Sequence, residues 1–316
     1  MVSISWHIEP SSKCILECSM CDRTWFYKKF KKRLTNDINI EHLIRFLQGT
    51  APHVTLCGNN GDPIYHAKFH TLISRLKDID ATISLTTNGS GKKKEWWEKL
   101  CGILNKNDSI QFSIDGLQDT NHLYRKNAKW QSIMQAIEVV ARHNVKTTWK
   151  FIVFKHNQHQ IQEAEKFSKE IGINKFKIIK SDRWWEKDLM PDLKYVDPSY
   201  KRQIAVTKGE EQPAYIKQEC MSKKNGTPDT SLYIDSEGDF YPCCKTGLYA
   251  FRYKNIFSPT LKKYNIKDNT IQQILETPEV KRFFESTKNY QSADHCCKIY
   301  CGKTKTDDRK ISESVV

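Results

Sequence analysis

"SSKCILECSMCDR", residues 11–23, places Cys14, Cys18 and Cys21 within eight positions and offers no fourth sulfur nearby. A closed tetrahedral metal site needs four ligands, so three thiols alone describe either a site completed from far away or a site meant to stay open. The first ten residues lack the basic start and apolar run of a secretory signal. A cytoplasmic location follows as the expectation, and there thiols stay reduced, so metal binding rather than disulfide formation is the leading use of the cysteines.

The chain has 316 residues, enough for one large core with a smaller companion. No stretch approaches the roughly 20 apolar residues of a spanning helix, and no membrane association is expected. Lys and Arg number 51 against 37 Asp and Glu, a net charge of +14. The excess is dispersed, with dense runs only at "KKFKKR" (28–33) and "KKK" (92–94), so nucleic acid is not the favoured partner.

Working outward from the thiols, short apolar runs at 3–8, 53–58, 82–87, 109–114, 147–154 and 175–180 alternate with segments whose apolar residues recur at three and four. That alternation predicts repeated βα units and a partial (β/α)6 TIM-like barrel over residues 1–185. Chemistry in such folds collects after the carboxyl ends of strands, and the three thiols follow the first one. Three cysteine thiolates can hold three irons of a four-iron cluster and leave the fourth iron open. A zinc knuckle completed by a distant His or Cys is the alternative. Lone Cys57 and Cys101 are read as core or helix-face thiols.

CxxxCxxC after the first strand of a βα barrel resembles the radical S-adenosylmethionine (SAM) superfamily. The resemblance implies a 4Fe–4S cluster on Cys14, Cys18 and Cys21 whose open iron chelates SAM, and reductive cleavage of SAM to a 5′-deoxyadenosyl radical that abstracts hydrogen from substrate. Further segments match in order. "GNNGDP" (Gly58, Asn59, Asn60, Gly61, Asp62, Pro63) is similar to the family loop that receives the SAM ammonium, with Asp62 in place of the usual Glu. "TTNG" (Thr86 and Asn88) and "SIDG" (Ser113 and Asp115) resemble segments near the SAM ribose and carboxylate. Arg125 and Asn157 recur in related enzymes, and Met20 stands where an aromatic residue commonly packs by adenine.

Six more cysteines lie beyond the barrel: Cys220, Cys243, Cys244, Cys296, Cys297 and Cys301. "SLYIDSEGDFYPCC" predicts a hairpin turning at Gly238, and residues 269–287 predict a helix leading to "CCKIYC". This arrangement resembles the SPASM/twitch extension of radical SAM enzymes, a small α+β cluster-binding domain. A full SPASM region carries seven cysteines and this segment has six. The resemblance therefore implies one auxiliary iron–sulfur cluster of the 4Fe–4S type, bound by Cys220, Cys243, Cys297 and Cys301, with Cys244 and Cys296 as alternates. A structural zinc site on the same thiols is the competing reading. The expected organisation is a barrel over 1–185, a linker over 186–215, the cluster domain over 216–304 and a polar tail over 305–316.

The family resemblance implies a flavodoxin- or ferredoxin-type electron donor and, as substrate, a peptide or protein side chain undergoing oxidation. Oxidation or rearrangement of a small anionic metabolite is the second expectation, and a non-catalytic iron–sulfur redox or binding protein is the reading of a different class. No leader-peptide-binding winged helix is expected ahead of the barrel. The stretches "RTWFYKKFKKR" and "SDRWWEKD" are candidate rims of the cavity, or simply a solvated basic face and core tryptophans.

Overall fold

The structure, a computed structural model, describes residues 5–50, 52–200, 215–216, 231–247, 264–287, 289, 291–293 and 295–303. The six expected strands are present: β1 (Ser5–Ile8), β2 (His53–Leu56), β3 (Thr82–Thr87), β4 (Ser109–Ser113), β5 (Lys146–Ile152) and β6 (Lys175–Ile179). They pair in sequence order, all parallel. Seven helices follow or connect them: α1 (Asp22–Phe30), α2 (Ile40–Leu47), α3 (Phe69–Lys77), α4 (Lys94–Ile103), α5 (Asn121–Tyr124), α6 (Trp130–Ala141) and α7 (Ile161–Glu170).

The period-two pattern of the strands divides two environments. Trp6, Ile8, Val54, Leu56, Ile83, Leu85, Ile110, Phe112, Trp149 and Phe151 form one buried core with apolar residues of the helices. The alternate positions, among them His7, Thr55, Thr86, Gln111, Ser113 and Lys150, are polar and face the inside of the curved sheet. A filled barrel lines its interior with branched apolar side chains; this sheet keeps a polar lumen suited to a bound molecule. On the outside, α2 shows how a helix is fixed locally. Asn39 accepts the His42 N–H at 3.0 Å as its cap, and Leu43, Ile44, Phe46 and Leu47 are buried.

The carboxyl-terminal region continues this sheet. Beyond β7 (Tyr215–Ile216), β8 (Ser231–Ile234) pairs in parallel with β1, and β9 (Asp239–Tyr241) and β10 (Tyr264–Asn265) add antiparallel to make nine strands. The turn falls at Gly238, whose φ of +83° favours glycine. β11 (Gly302–Lys303) pairs with β7. The helix expected over 269–287 is two helices, Ile271–Glu276 and Pro278–Ser286. Pro278 cannot supply the N–H that continuation requires and instead opens the second helix at its first position.

The first part of the expected linker lies against the barrel. The Lys155 N–H donates to the Leu189 carbonyl at 3.0 Å, Asp197 N–H to Ser181 at 3.0 Å, and Val196 is buried. Residues 201–214 and the expected tail fall outside the described residues, as does Cys220. No helix among the described residues is long and apolar enough to cross a membrane.

Candidate functional site

Cys14, Cys18 and Cys21 open onto one cleft of about 230 Å³ at the carboxyl ends of the strands. Cys21 is the N-cap of α1, so the positive end of a nine-residue helix begins at the third thiol. The Leu16 N–H and the Asn88 amide donate to Cys14 Sγ at 3.4 and 3.6 Å. Burial pushes the Cys14 and Cys18 thiols well above the ordinary range, so a positively charged group must offset that cost before they ionise.

Three guanidinium groups surround the thiols and line the same cleft: Arg23, Arg125 and Arg183. Arg23 donates to the Leu16 carbonyl within the loop. Arg125 pairs with Asp115 at 2.7 Å, and Arg183 pairs with buried Asp22 at 3.0 Å. The last contact brings "SDRWWEKD" onto the cysteine loop, where Trp184 packs in a second apolar cluster with Leu16, Cys18, Met20, Tyr124 and Phe154. Trp184 is thus a wall of the site, whereas Trp185 is exposed.

The "GNNGDP" loop sits against the cysteine loop because two glycines permit it. A Cβ on Gly61 would lie 2.0 Å from the Ser11 carbonyl oxygen, and one on Gly58 would lie 2.3 Å from that of Gly61. Both contacts are with backbone, which cannot swing away. Asp62 turns inward: its carboxylate accepts from Thr87 Oγ1 at 2.9 and 3.1 Å, Asn88 N at 2.6 Å and Ile64 N at 3.2 Å, and from the Asn88 amide. Those bonds fasten the second and third strand loops together. Asn60 Oδ1 is different, for it is buried without a hydrogen-bond partner, and Asn60 lines the cleft.

The residues singled out in the sequence divide accordingly. Met20, Gly58, Asn59, Asn60, Gly61, Asp62, Thr86, Asn88, Ser113 and Arg125 line the cleft with the three cysteines. Asp115 and Asn157 are fully buried behind it. Asp115 accepts the Ile152 N–H at 2.7 Å in addition to holding Arg125. Asn157 accepts the Phe154 N–H at 2.7 Å and donates to the Asp115 and Ile152 carbonyls at 3.0 Å, a clamp on the ends of β4 and β5.

Four residues not singled out belong to the site. Cys57 faces the lumen and lines the cleft rather than the helix core. Tyr124 lines it as well, its ring tilted against Phe154 with centroids 4.2 Å apart. Thr87 ties down Asp62. Glu9, with no exposed surface, accepts the Asn60 and Asn59 N–H groups at 2.9 and 3.2 Å and the Tyr233 hydroxyl. Its acidity at the end of a strand was the one signal in the sequence.

The adjacent cysteines of the carboxyl-terminal region diverge. Cys243, whose N–H donates to Thr246 Oγ1 at 3.2 Å, lies within electrostatic reach of Cys301. Cys244 instead meets His7 in the lumen, and its carbonyl accepts from the Asn59 amide at 3.2 Å. Burial alone lowers the His7 pKa, but Cys244, the Cys57 carbonyl and Glu9 outweigh it and leave the imidazole raised. On the helix His295–Cys301, Cys297 and Cys301 are four apart and share a face, which Cys296 does not.

The class defined by this fold and site agrees with sequence comparison. The family model of the radical SAM superfamily matches residues 8–167, and that of an iron–sulfur cluster-binding domain, SPASM, matches residues 226–302. The chain belongs to the radical SAM superfamily, with a SPASM-type region behind the barrel. Those domains imply a 4Fe–4S cluster with SAM, and auxiliary iron–sulfur binding.

Among curated proteins, the chain is 24% identical over 174 residues to the pre-heme d1 synthase of Dinoroseobacter shibae, covering 55% of this chain and 42% of that one. It is 21% identical over 182 residues to the tungsten-containing aldehyde ferredoxin oxidoreductase cofactor-modifying protein of Pyrococcus furiosus, covering 53% and 49%. The matches thus span about half the length of these relatives. Among solved structures, Streptococcus suis SuiB bound to S-adenosylmethionine superposes with a TM-score of 0.62 at 16% identity, over 98% of this chain and 74% of that one. The protein anSMEcpe with bound AdoMet gives 0.61 at 16%, over 90% and 84%. At these identities the shared property is the fold.

The donor set fits the implied cofactors. The three thiols share one cleft with the loops that resemble the SAM-binding segments. The guanidinium groups around the thiols suit a cluster bearing negative charge, and Asn60 Oδ1, without a partner among the described residues, suits an ammonium.

Proposed function

We propose that the protein reductively cleaves SAM and uses the resulting radical chemistry to oxidise a peptide or protein side chain. The observation that carries the first half is the opening of Cys14, Cys18 and Cys21 onto the same cleft as the "GNNGDP" and "TTNG" loops. In this reading the three cysteines hold the 4Fe–4S cluster, which supplies one electron to bound SAM. Arg23, Arg125 and Arg183 balance its charge, and Tyr124 and Met20 form an apolar wall. Asn60 Oδ1 receives the SAM ammonium, because the Asp62 oxygens are engaged by Thr87, Asn88 and Ile64. Electrons come from a flavodoxin- or ferredoxin-type donor. Cys243, Cys297 and Cys301, with Cys220, hold the auxiliary cluster, and the domain boundary falls between the barrel and the hairpin that extends it.

A peptide substrate is supported by exposed apolar side chains on the cysteine loop and its neighbours: Ile15, Tyr27, Phe30 and Trp185 are all more than a third exposed. Flexible chains dock on such surfaces through aromatic contact. SuiB has itself been crystallised with its precursor peptide SuiA. The reading is tested by anaerobic reconstitution and reduction, followed by assay for 5′-deoxyadenosine and methionine. Incubation with candidate peptides is then read by mass spectrometry for loss of two hydrogens. Absence of SAM cleavage rejects the enzyme reading; cleavage with turnover only of small metabolites rejects the peptide.

A further inference from the structure

We propose that Lys150 and Lys177, neighbours on the inner face of β5 and the edge strand β6, form an anchor beside the cleft for a carboxylate group of the substrate. This deepens the functional reading above and rests on it for the word substrate. The sequence drew attention to the dense run at 28–33, but that run is exposed and two of its cations lie over rings of α1: Lys29 lies 5.0 Å from the Trp25 ring centroid and Arg33 4.6 Å from that of Tyr27. The inner face of the sheet carries a different pair, half-buried Lys150 and exposed Lys177. Lys150 on β5 and Lys177 on β6 are direct partners in the parallel register.

Both side chains project from the inner face, beside the cleft rather than among the residues that line it. On β5, Trp149 and Phe151 are buried against the helices, so Lys150 and Ile152 point the other way, and Ile152 lines the cleft. Ser113, the β4 partner of Lys150 in the register, lines it too. On β6, Phe176 packs against Trp149 and Phe151 on the helix side, which puts Lys177 on the inner face. The positive charge of Lys150 is felt at Cys57, which lines the cleft, and at Asp115, buried behind it.

Neither lysine has a carboxylate within 4 Å among the described residues. Asp115, which feels the charge of Lys150, is already committed to Arg125 and the Ile152 N–H. Like charges directly across a sheet destabilise it, and a half-buried lysine without a partner adds a desolvation cost. An anion entering the lumen relieves both. Two ammonium groups on one wall recognise a carboxylate by charge without the planar fork of arginine.

The probes are glutarate and the peptide acetyl-Gly-Glu-Gly-amide, titrated calorimetrically into the oxidised, cluster-loaded protein with SAM present. Binding of either is expected, weakened at least tenfold in Lys150→Met/Lys177→Met and largely retained in Lys150→Arg/Lys177→Arg. The tighter of the two probes tells a small acid from an acidic peptide residue. Lys177 is exposed, so Lys177→Gln alone supplies a folded variant should the double substitution fail, and it is expected to weaken binding as well. Unchanged binding by the neutralised variants, or no binding of either probe by the wild type, overturns the anchor. Because no turnover is involved, wild-type protein that binds these acids yet never cleaves SAM rejects the enzymatic reading and leaves the anchor standing.

Discussion

The carboxylate of Glu9, at the end of β1, accepts a hydrogen bond from the hydroxyl of Tyr233 on the appended hairpin. The same carboxylate holds the Asn59 and Asn60 amides. One buried acid thus joins the carboxyl-terminal region to the loop proposed to bind SAM. Tyr233→Phe and Glu9→Gln should each destabilise the protein by about 1–3 kcal/mol, the cost of buried groups left unsatisfied. In a double-mutant cycle their effects should fall short of additivity by more than about 0.5 kcal/mol, since both remove one network. Strict additivity in denaturant melts contradicts the shared role.

Asn60 and Asp62 sit two residues apart and should behave differently. Asn60→Leu removes an acceptor that has no partner among the described residues, so stability should change little while the Kd for SAM rises about tenfold, equivalent to roughly 1.4 kcal/mol. Asp62→Asn turns an amide toward donors from Thr87, Asn88 and Ile64, and should cost about 2–3 kcal/mol of stability. Equilibrium dialysis with SAM, set beside thermal melts, separates the two.

Gly61→Ala puts a methyl group into the Ser11 and Ser12 backbone. Neither side can yield without parting the cysteine loop from the "GNNGDP" loop. A loss of about 2–4 kcal/mol is expected, the range of serious overpacking and backbone strain. A change under about 0.5 kcal/mol in the melt would show that the close approach is dispensable.

Asp37 gives a pH signature at the root of the cysteine loop. Lys13 lies 2.6 Å from its carboxylate, Ser11 donates at 2.6 Å and the Ala67 N–H at 3.0 Å. Burial pushes the carboxyl up, but these partners outweigh it and hold it below the usual range. A depressed acid stabilises the fold above its unfolded value, near 4, and loses that contribution as pH falls through the folded value. Asp37→Asn should therefore cost about 1 kcal/mol at neutral pH, a figure discounted for partial exposure. The difference from wild type should vanish in strongly acidic buffer; a constant difference across pH would assign it to packing instead.

Much of this was legible in the sequence because its signals are local. The βα alternation located all six barrel strands to within about two residues, and the CxxxCxxC spacing located the thiols. What escaped depends on contacts distant in sequence. The pairing of β8 with β1 joins residues more than 200 positions apart. Lys150 and Lys177 become neighbours only through strand register, and Glu9 gains its meaning from Asn59, Asn60 and Tyr233. Cys57 looked like a core thiol until the direction of its strand put it in the lumen. The helix α1 was hidden for another reason: its run "DRTWFYKKF" has no continuous apolar face, so charge rather than period caught the eye.

The diverging cysteines bear on metal content. Wild type should hold about eight irons if both sites are four-iron clusters. Cys243→Ala should lower that to about four, whereas Cys244→Ala, whose side chain meets His7, should leave it unchanged. Loss of iron from the Cys244 variant alone would exchange their roles, and zinc in place of auxiliary iron would make the second site structural.

The proposed role of Cys14, Cys18 and Cys21 is to hold a cluster with one coordination position left for SAM. It is tested most directly by electron paramagnetic resonance of the dithionite-reduced Cys243→Ala/Cys301→Ala protein, from which the auxiliary signal has been removed. Addition of SAM should alter the remaining iron–sulfur spectrum and yield 5′-deoxyadenosine, and both effects should disappear when Cys18→Ala is added. A spectrum indifferent to SAM, or SAM cleavage that survives without Cys18, would contradict the account.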